Sequence, residues 1–170
     1  MNRFFQDLEQ RGLLKDYTIV FDWLLDDNKF SAEFWDSNYL RLFTKSIQKI
    51  SHFQKDNKRY TYGSMSSIEF LSPKTTRCNP TVQIAKKDGE GKDIIRHFRN
   101  GIAHGNAKVK IYKSALHIQL VDYNARMEQT AFIFIPMSAL TELFMTYRTV
   151  EKAKRNNKKK VTAQHRSKKE

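Results

Sequence analysis

Two hydrophobic periods divide this chain, and the change from one to the other limits what it can fold into. Up to residue 102, outside a poorly periodic stretch over 60–87, the apolar residues recur at helical spacing. Tyr17, Val20, Phe21, Leu24 and Leu25 form one stripe, and Leu40, Phe43, Ile47 and Ile50 a second. Ile94, Ile95, Phe98 and Ile102 form a third, compact face. Beyond Lys108 the period drops to two. Val109 and Ile111 alternate with lysines, Leu116, Ile118 and Leu120 alternate with His117 and Gln119, and Thr130 to Ile135 is apolar on both faces. Leu140, Leu143, Phe144, Tyr147 and Val150 then return to helical spacing.

The pattern predicts a mainly α fold: about five helices with a small antiparallel β insert of three strands before the C-terminal helix. Phe4, Phe5 and Leu8 predict a short first helix, separated by Gly12 from the next, which Asp16 is placed to cap. Ser31 and Ser138 are placed to cap later helices, where a side-chain oxygen meets free backbone N–H groups. Gly105 stands where a helix ending near residue 104 needs a glycine. Residues 60–87 are poorly periodic, with Gly63, Pro73, Pro80 and several serines, and read as loop with one short helix around Ser66 to Leu71. No apolar stretch approaches the roughly 20 residues that span a bilayer. The acid at Asp7 and the absence of an apolar leader argue against a signal peptide. A single cysteine, Cys78, permits no internal disulfide and suits a reducing, cytoplasmic setting.

Charge points to the partner. The formal net charge is +13 over 170 residues. From Val150 onward nine basic residues face only Glu151 and Glu170, so the stretch 155–170 is expected to be a basic disordered tail behind a domain spanning 1–154. Such a tail serves either solubility or the neutralisation of phosphates. Because the rest of the chain is basic too, a nucleic acid is the favoured partner.

The most concentrated polar chemistry lies in Ile95-Arg96-His97-Phe98-Arg99-Asn100-Gly101-Ile102-Ala103-His104-Gly105. Arg96, Asn100 and His104 share one helical face at i, i+4 and i+8, turned away from Ile95, Phe98 and Ile102. Arginine offers a planar fork of donors that matches phosphate oxygens. Histidine moves protons near neutrality. The same residues also suit a plain surface helix whose histidine caps its own end. His97 and His104 are seven residues apart, but two histidines without nearby cysteines or paired carboxylates make a poor metal site. Cys78, Glu33 and Asp36 are weaker candidates, and Tyr60 and Tyr62 beside Lys58 and Arg59 suit either base stacking or loop packing.

Arg99-Asn100-x-x-x-His104, ending a helix and followed by glycine, resembles the Arg-x4–6-His signature of the HEPN superfamily. The neighbouring Gly-Ile-Ala-His-Gly and the strands before a last helix resemble the plasmid- and defence-associated HEPN nucleases. The resemblance implies a HEPN-like helical bundle that homodimerises, with two motifs meeting in one composite cleft. It implies a metal-independent endoribonuclease, without a cofactor, acting as a toxin or an antiviral defence effector. Its catalytic residues would be Arg99, Asn100 and His104. Lys92 and Arg96 beside the motif, with Lys154, Arg155 and Lys158 towards the tail, would bind RNA. A protein antitoxin is a further expected partner. HEPN toxins neutralised by nucleotidyltransferases carry His-x-Tyr, whereas position 106 here is Asn106. The alternative expectation is a HEPN-like RNA-binding or assembly module without chemistry.

Overall fold

The computed structural model describes residues 2–26, 45, 60–75, 79–142, 144–145, 148–149, 152 and 156. Two helices open it, α1 (Arg3–Gln10) and α2 (Leu14–Leu25). Strands β1 (Tyr60–Gly63) and β2 (Thr81–Ala85) follow, with a 3-10 turn at Met65–Ser67 between them. Then come helix α3 (Glu90–Ala103) and strands β3 (Ala107–Tyr112), β4 (Ala115–Tyr123) and β5 (Gln129–Pro136). A last helix starts directly after β5, at residue 137.

The expectation of a mainly α fold is wrong. The five strands form one mixed sheet in the order β1-β2-β5-β4-β3, with β1 parallel to β2 and the other pairs antiparallel. The three expected strands are present, but they are part of this sheet and not an insert in a bundle. What the sequence concealed was the pair β1 and β2. All five residues of β2 are buried, so its sequence Thr-Val-Gln-Ile-Ala carries no alternation. A strand covered on both faces loses the period-two signal. Two caps are also misplaced: α2 starts at Leu14, with Asp16 inside its first turn, and Ser138 lies within the last helix.

One face of the sheet carries the helices. Phe4, Leu8, Val20, Phe21, Leu24, Ile94, Ile95, Phe98 and Ile102 pack there against Val82, Ile84, Ile118, Leu120 and Ile133. Met137, Ala139, Leu140 and Phe144 of the last helix close this core, with the Phe144 ring 5.6 Å from that of Trp23. The other face buries Val121, Phe132 and Phe134 under Phe70, Leu71, Tyr112 and Tyr123. Glutamine amides hold that cover in place. Gln83 donates to the Glu69 carbonyl at 2.9 Å and accepts from the Leu71 amide at 2.8 Å, while Gln119 donates to the Pro73 carbonyl at 3.1 Å.

Helix α3 is fixed most firmly. Its four large apolar side chains, Ile94, Ile95, Phe98 and Ile102, are each no more than 2% exposed. At about 1.5–3 kcal/mol per buried side chain they dominate the energy that docks it. Gly101 lets the helix approach β4, since a Cβ there would stand 2.3 Å from Cγ of Leu120. The helix ends at Ala103, His104 is its C-cap, and Gly105 turns the chain with φ +74°. Asn2 then links two helix ends: its side chain accepts from the Phe4 amide at the start of α1 and donates to the Ile102 carbonyl.

Candidate functional site

Beside its apolar stripe, α3 carries a chain of polar contacts that runs from the half-buried Arg96 inward to the sheet. Arg96 donates through Nη2 to Asp93 Oδ1 at 2.8 Å and to His97 Nε2 at 3.2 Å. His97 Nδ1 meets Asp122 Oδ2 on β4 at 2.7 Å, and Asn100 Nδ2 donates to the same oxygen at 3.2 Å. A guanidinium can only donate. His97 Nε2 must therefore accept, which makes this imidazole neutral with its proton on Nδ1, donated to Asp122. His97 is fully buried and Asp122 nearly so. They form the inner support of Arg96 and Asn100.

Asp93 anchors the other end of the chain of contacts. It accepts from Tyr62 Oη at 2.9 Å, from the Lys87 amide at 2.8 Å and from the Asp88 amide at 3.2 Å. Burial pushes the Asp93 carboxyl up, but the Arg96 bond, the two amides and Tyr62 outweigh it and hold the group below its ordinary value. Burial, with the Asp93 bond and charge beside it, pushes the Tyr62 phenol well above its ordinary value. Tyr60 in turn bonds Glu90. The two tyrosines thus tie β1 to the start of α3, which is the packing role left open by their sequence.

Asp88, Lys92, Ile95, Arg96, Arg99 and Asn100 line an open pocket of about 420 Å³. Four of the expected site residues on α3, Lys92, Arg96, Arg99 and Asn100, therefore converge. His104 does not line this pocket. It is exposed at the helix end, where its amide donates to the Asn100 carbonyl at 2.8 Å. Five residues of α-helix separate it from Arg99 by about 140° around the axis. The two residues of the Arg-x4-His signature thus point to different parts of one chain's surface. Lys154, Arg155 and Lys158, with Cys78, Glu33 and Asp36, lie outside the described residues, and of the 155–170 stretch only Asn156 is described, as helix.

Among the described residues no three His, Cys, Asp or Glu side chains gather to hold a metal ion. The pairing of His97 with His104 around a metal fails for a specific reason: both ring nitrogens of His97 are engaged within the fold. Among the described residues no helix is long and apolar enough to cross a membrane.

Asp93 and Asp122 were not legible as site residues. Asp122 did leave a trace, as a lone acid that continues the alternation of Ile118 and Leu120. Such a residue in a buried strand needs a partner. Nothing in the sequence said that the partner was His97, twenty-five positions earlier.

Two of the comparisons with known proteins are negative: no curated protein and no solved structure matches the chain. A family model described as HEPN pEK499 p136 matches residues 32–160, a span that contains α3, its pocket and the whole sheet from β1 to β5. On that match the chain belongs to the HEPN pEK499 p136 family, and so to the HEPN superfamily.

Proposed function

We propose that this protein is an endoribonuclease that acts as a homodimer and cleaves RNA by attack of a ribose 2′-OH on the adjacent phosphorus. HEPN domains are commonly nucleolytic, and the observation that carries the reading here is the pocket on α3, where Lys92, Arg96, Arg99 and Asn100 converge. In the reaction the 2′ oxygen forms a bond to phosphorus, the bond to the 5′ oxygen breaks, and a 2′,3′-cyclic phosphate remains. Arg99 stabilises the charge that builds on the phosphoryl oxygens, commonly the largest contribution in such sites. His104 accepts the 2′-OH proton or protonates the departing 5′ oxygen. Asn100, held by Asp122, positions the phosphate. The separation of His104 from the pocket within one chain supports a composite cleft, in which Arg99 of one copy works with His104 of the other. The setting that suits this activity is a toxin or antiviral effector, with a protein antitoxin as a partner.

The test is incubation of purified protein with RNA in excess EDTA, followed by analysis of the new ends. Cleavage that persists and leaves 2′,3′-cyclic phosphate is the expected outcome. Activity lost in EDTA and restored by Mg²⁺ overturns the mechanism. The same separation of His104 favours a second reading, an RNA-binding module without chemistry. That reading predicts tight RNA binding with no cleavage in either condition.

A further inference from the structure

On the other side of the α3 terminus lies a second, smaller cavity of about 150 Å³, lined by Gly105, Asn106, Lys108, Val121 and Tyr123, together with Pro73 and Gln119. We infer that this cavity is a nucleobase subsite that takes a pyrimidine of the RNA chain, next to the scissile phosphate. The inference rests on the ribonuclease reading above for its place in a reaction, and on its own geometry for the ligand.

The size selects one ring. An apolar cavity of about 150 Å³ holds a single benzene ring, so a six-membered base fills this one while a purine overhangs. Tyr123 and Val121 supply flat and apolar surface, and aromatic side chains are the usual platforms for unpaired RNA bases. Asn106 supplies the polar edge. Its backbone is already committed, the N–H to the Gly101 carbonyl at 2.8 Å and the carbonyl to the Val121 amide at 3.2 Å. No hydrogen bond engages its carboxamide among the described residues. A carboxamide presents a donor and an acceptor side by side, which matches N3 and the C4 substituent of uracil or cytosine. Gln119 is not available for this, because its amide is spent on Pro73. Lys108 is exposed at the rim, where a backbone phosphate of the same strand would pass.

Position strengthens the case. Gly105 and Asn106 follow His104 directly, and Val121 and Tyr123 flank Asp122, which holds Asn100 in the first pocket. Val121 and Tyr123 turn to the opposite face of the sheet from Asp122, so the base cavity lies across the sheet from the cationic pocket, at the end of α3 that carries His104, and a base bound there belongs to a strand that passes His104.

Fluorescence anisotropy with labelled hexadeoxyuridylate and hexadeoxyadenylate tests this on the wild-type protein, since deoxy strands lack the attacking hydroxyl. The uridylate should bind about fivefold or more tightly, the usual effect of one good bidentate base contact. Asn106→Ala should bring the two within about twofold of each other while leaving the adenylate affinity and its salt dependence unchanged. Equal binding by the wild type, a preference for adenylate, or a preference that survives Asn106→Ala each overturns the subsite. A protein that shows the Asn106-dependent preference and cuts no RNA retains the subsite and loses the nuclease. One that cuts RNA without the preference does the reverse.

Discussion

His97 on α3 and Asp122 on β4 meet at 2.7 Å between Nδ1 and Oδ2, in a part of the molecule that water does not reach. Because Arg96 donates to the far nitrogen of the same ring, the pair fixes one tautomer. Nitrogen-15 spectra at neutral pH should show His97 protonated at Nδ1 and bare at Nε2. Asp122→Ala strips the acceptor from both His97 and Asn100, and should lower unfolding stability by about 2–3 kcal/mol. A wild-type urea midpoint in the variant, or a proton on Nε2, contradicts the arrangement.

The proposed composite cleft makes a stricter demand. Arg99→Ala and His104→Ala should each reduce cleavage by about 10²–10³ while RNA affinity stays close to wild type. A dimer with one Arg99→Ala chain and one His104→Ala chain keeps a single intact pair when the cleft draws one residue from each copy. Mixing the two inactive variants should then restore part of the activity. Mixtures that stay inactive mean that each chain works alone.

Acid should weaken the fold through Asp93. The unfolded carboxyl takes up its proton near pH 3.8, and the folded one only below that. The stabilisation is therefore complete above this value and is lost as pH falls through the lower, folded pKa. Urea midpoints measured from pH 7 to pH 2.5 should fall less steeply in Asp93→Asn, which starts about 2–3 kcal/mol lower at pH 7 for want of the charged acceptor. Parallel curves for the two proteins remove Asp93 from the acid response.

Gly101 and Leu120 should behave as a coupled pair. Alanine normally favours a helix interior by about 1 kcal/mol over glycine. Here its Cβ meets a fully buried leucine at 2.3 Å, and overpacking of this kind costs about 1–3 kcal/mol. Gly101→Ala should be destabilising in the wild type and stabilising in a Leu120→Ala background. Thermal unfolding of the four proteins measures the coupling, and additive effects would contradict the close approach.

The legible parts of this fold are those where one face meets the core and the other meets water. Helix α3 announced itself because Ile94, Ile95, Phe98 and Ile102 repeat on one side of a polar stripe. Strand β3 did so because Lys108 and Lys110 flank the buried Val109, although Ile111, which continues the alternation, lies exposed. Strand β2 was silent, since Gln83 turns inward to bind the loop at Glu69 and Leu71 and so looks like a surface residue. At the site, Arg96, Arg99 and Asn100 were found by helical spacing. Their supports, Asp93 and Asp122, were not, because the contacts that matter run to Tyr62 on β1 and from β4 back to His97, and spacing along one helix carries no information about either.

The link from Asn2 to the Ile102 carbonyl, and the one from His97 to Asp122, also set an order of events during synthesis. A ribosome adds roughly 5–20 residues per second, so Asn2 emerges about 5–20 seconds before its partner exists. Until residue 122 is out, His97 lacks its carboxylate and Asn100 lacks its anchor. Truncated products that stop short of β4 therefore carry the Arg99 and His104 signature in sequence without the framework that aims it.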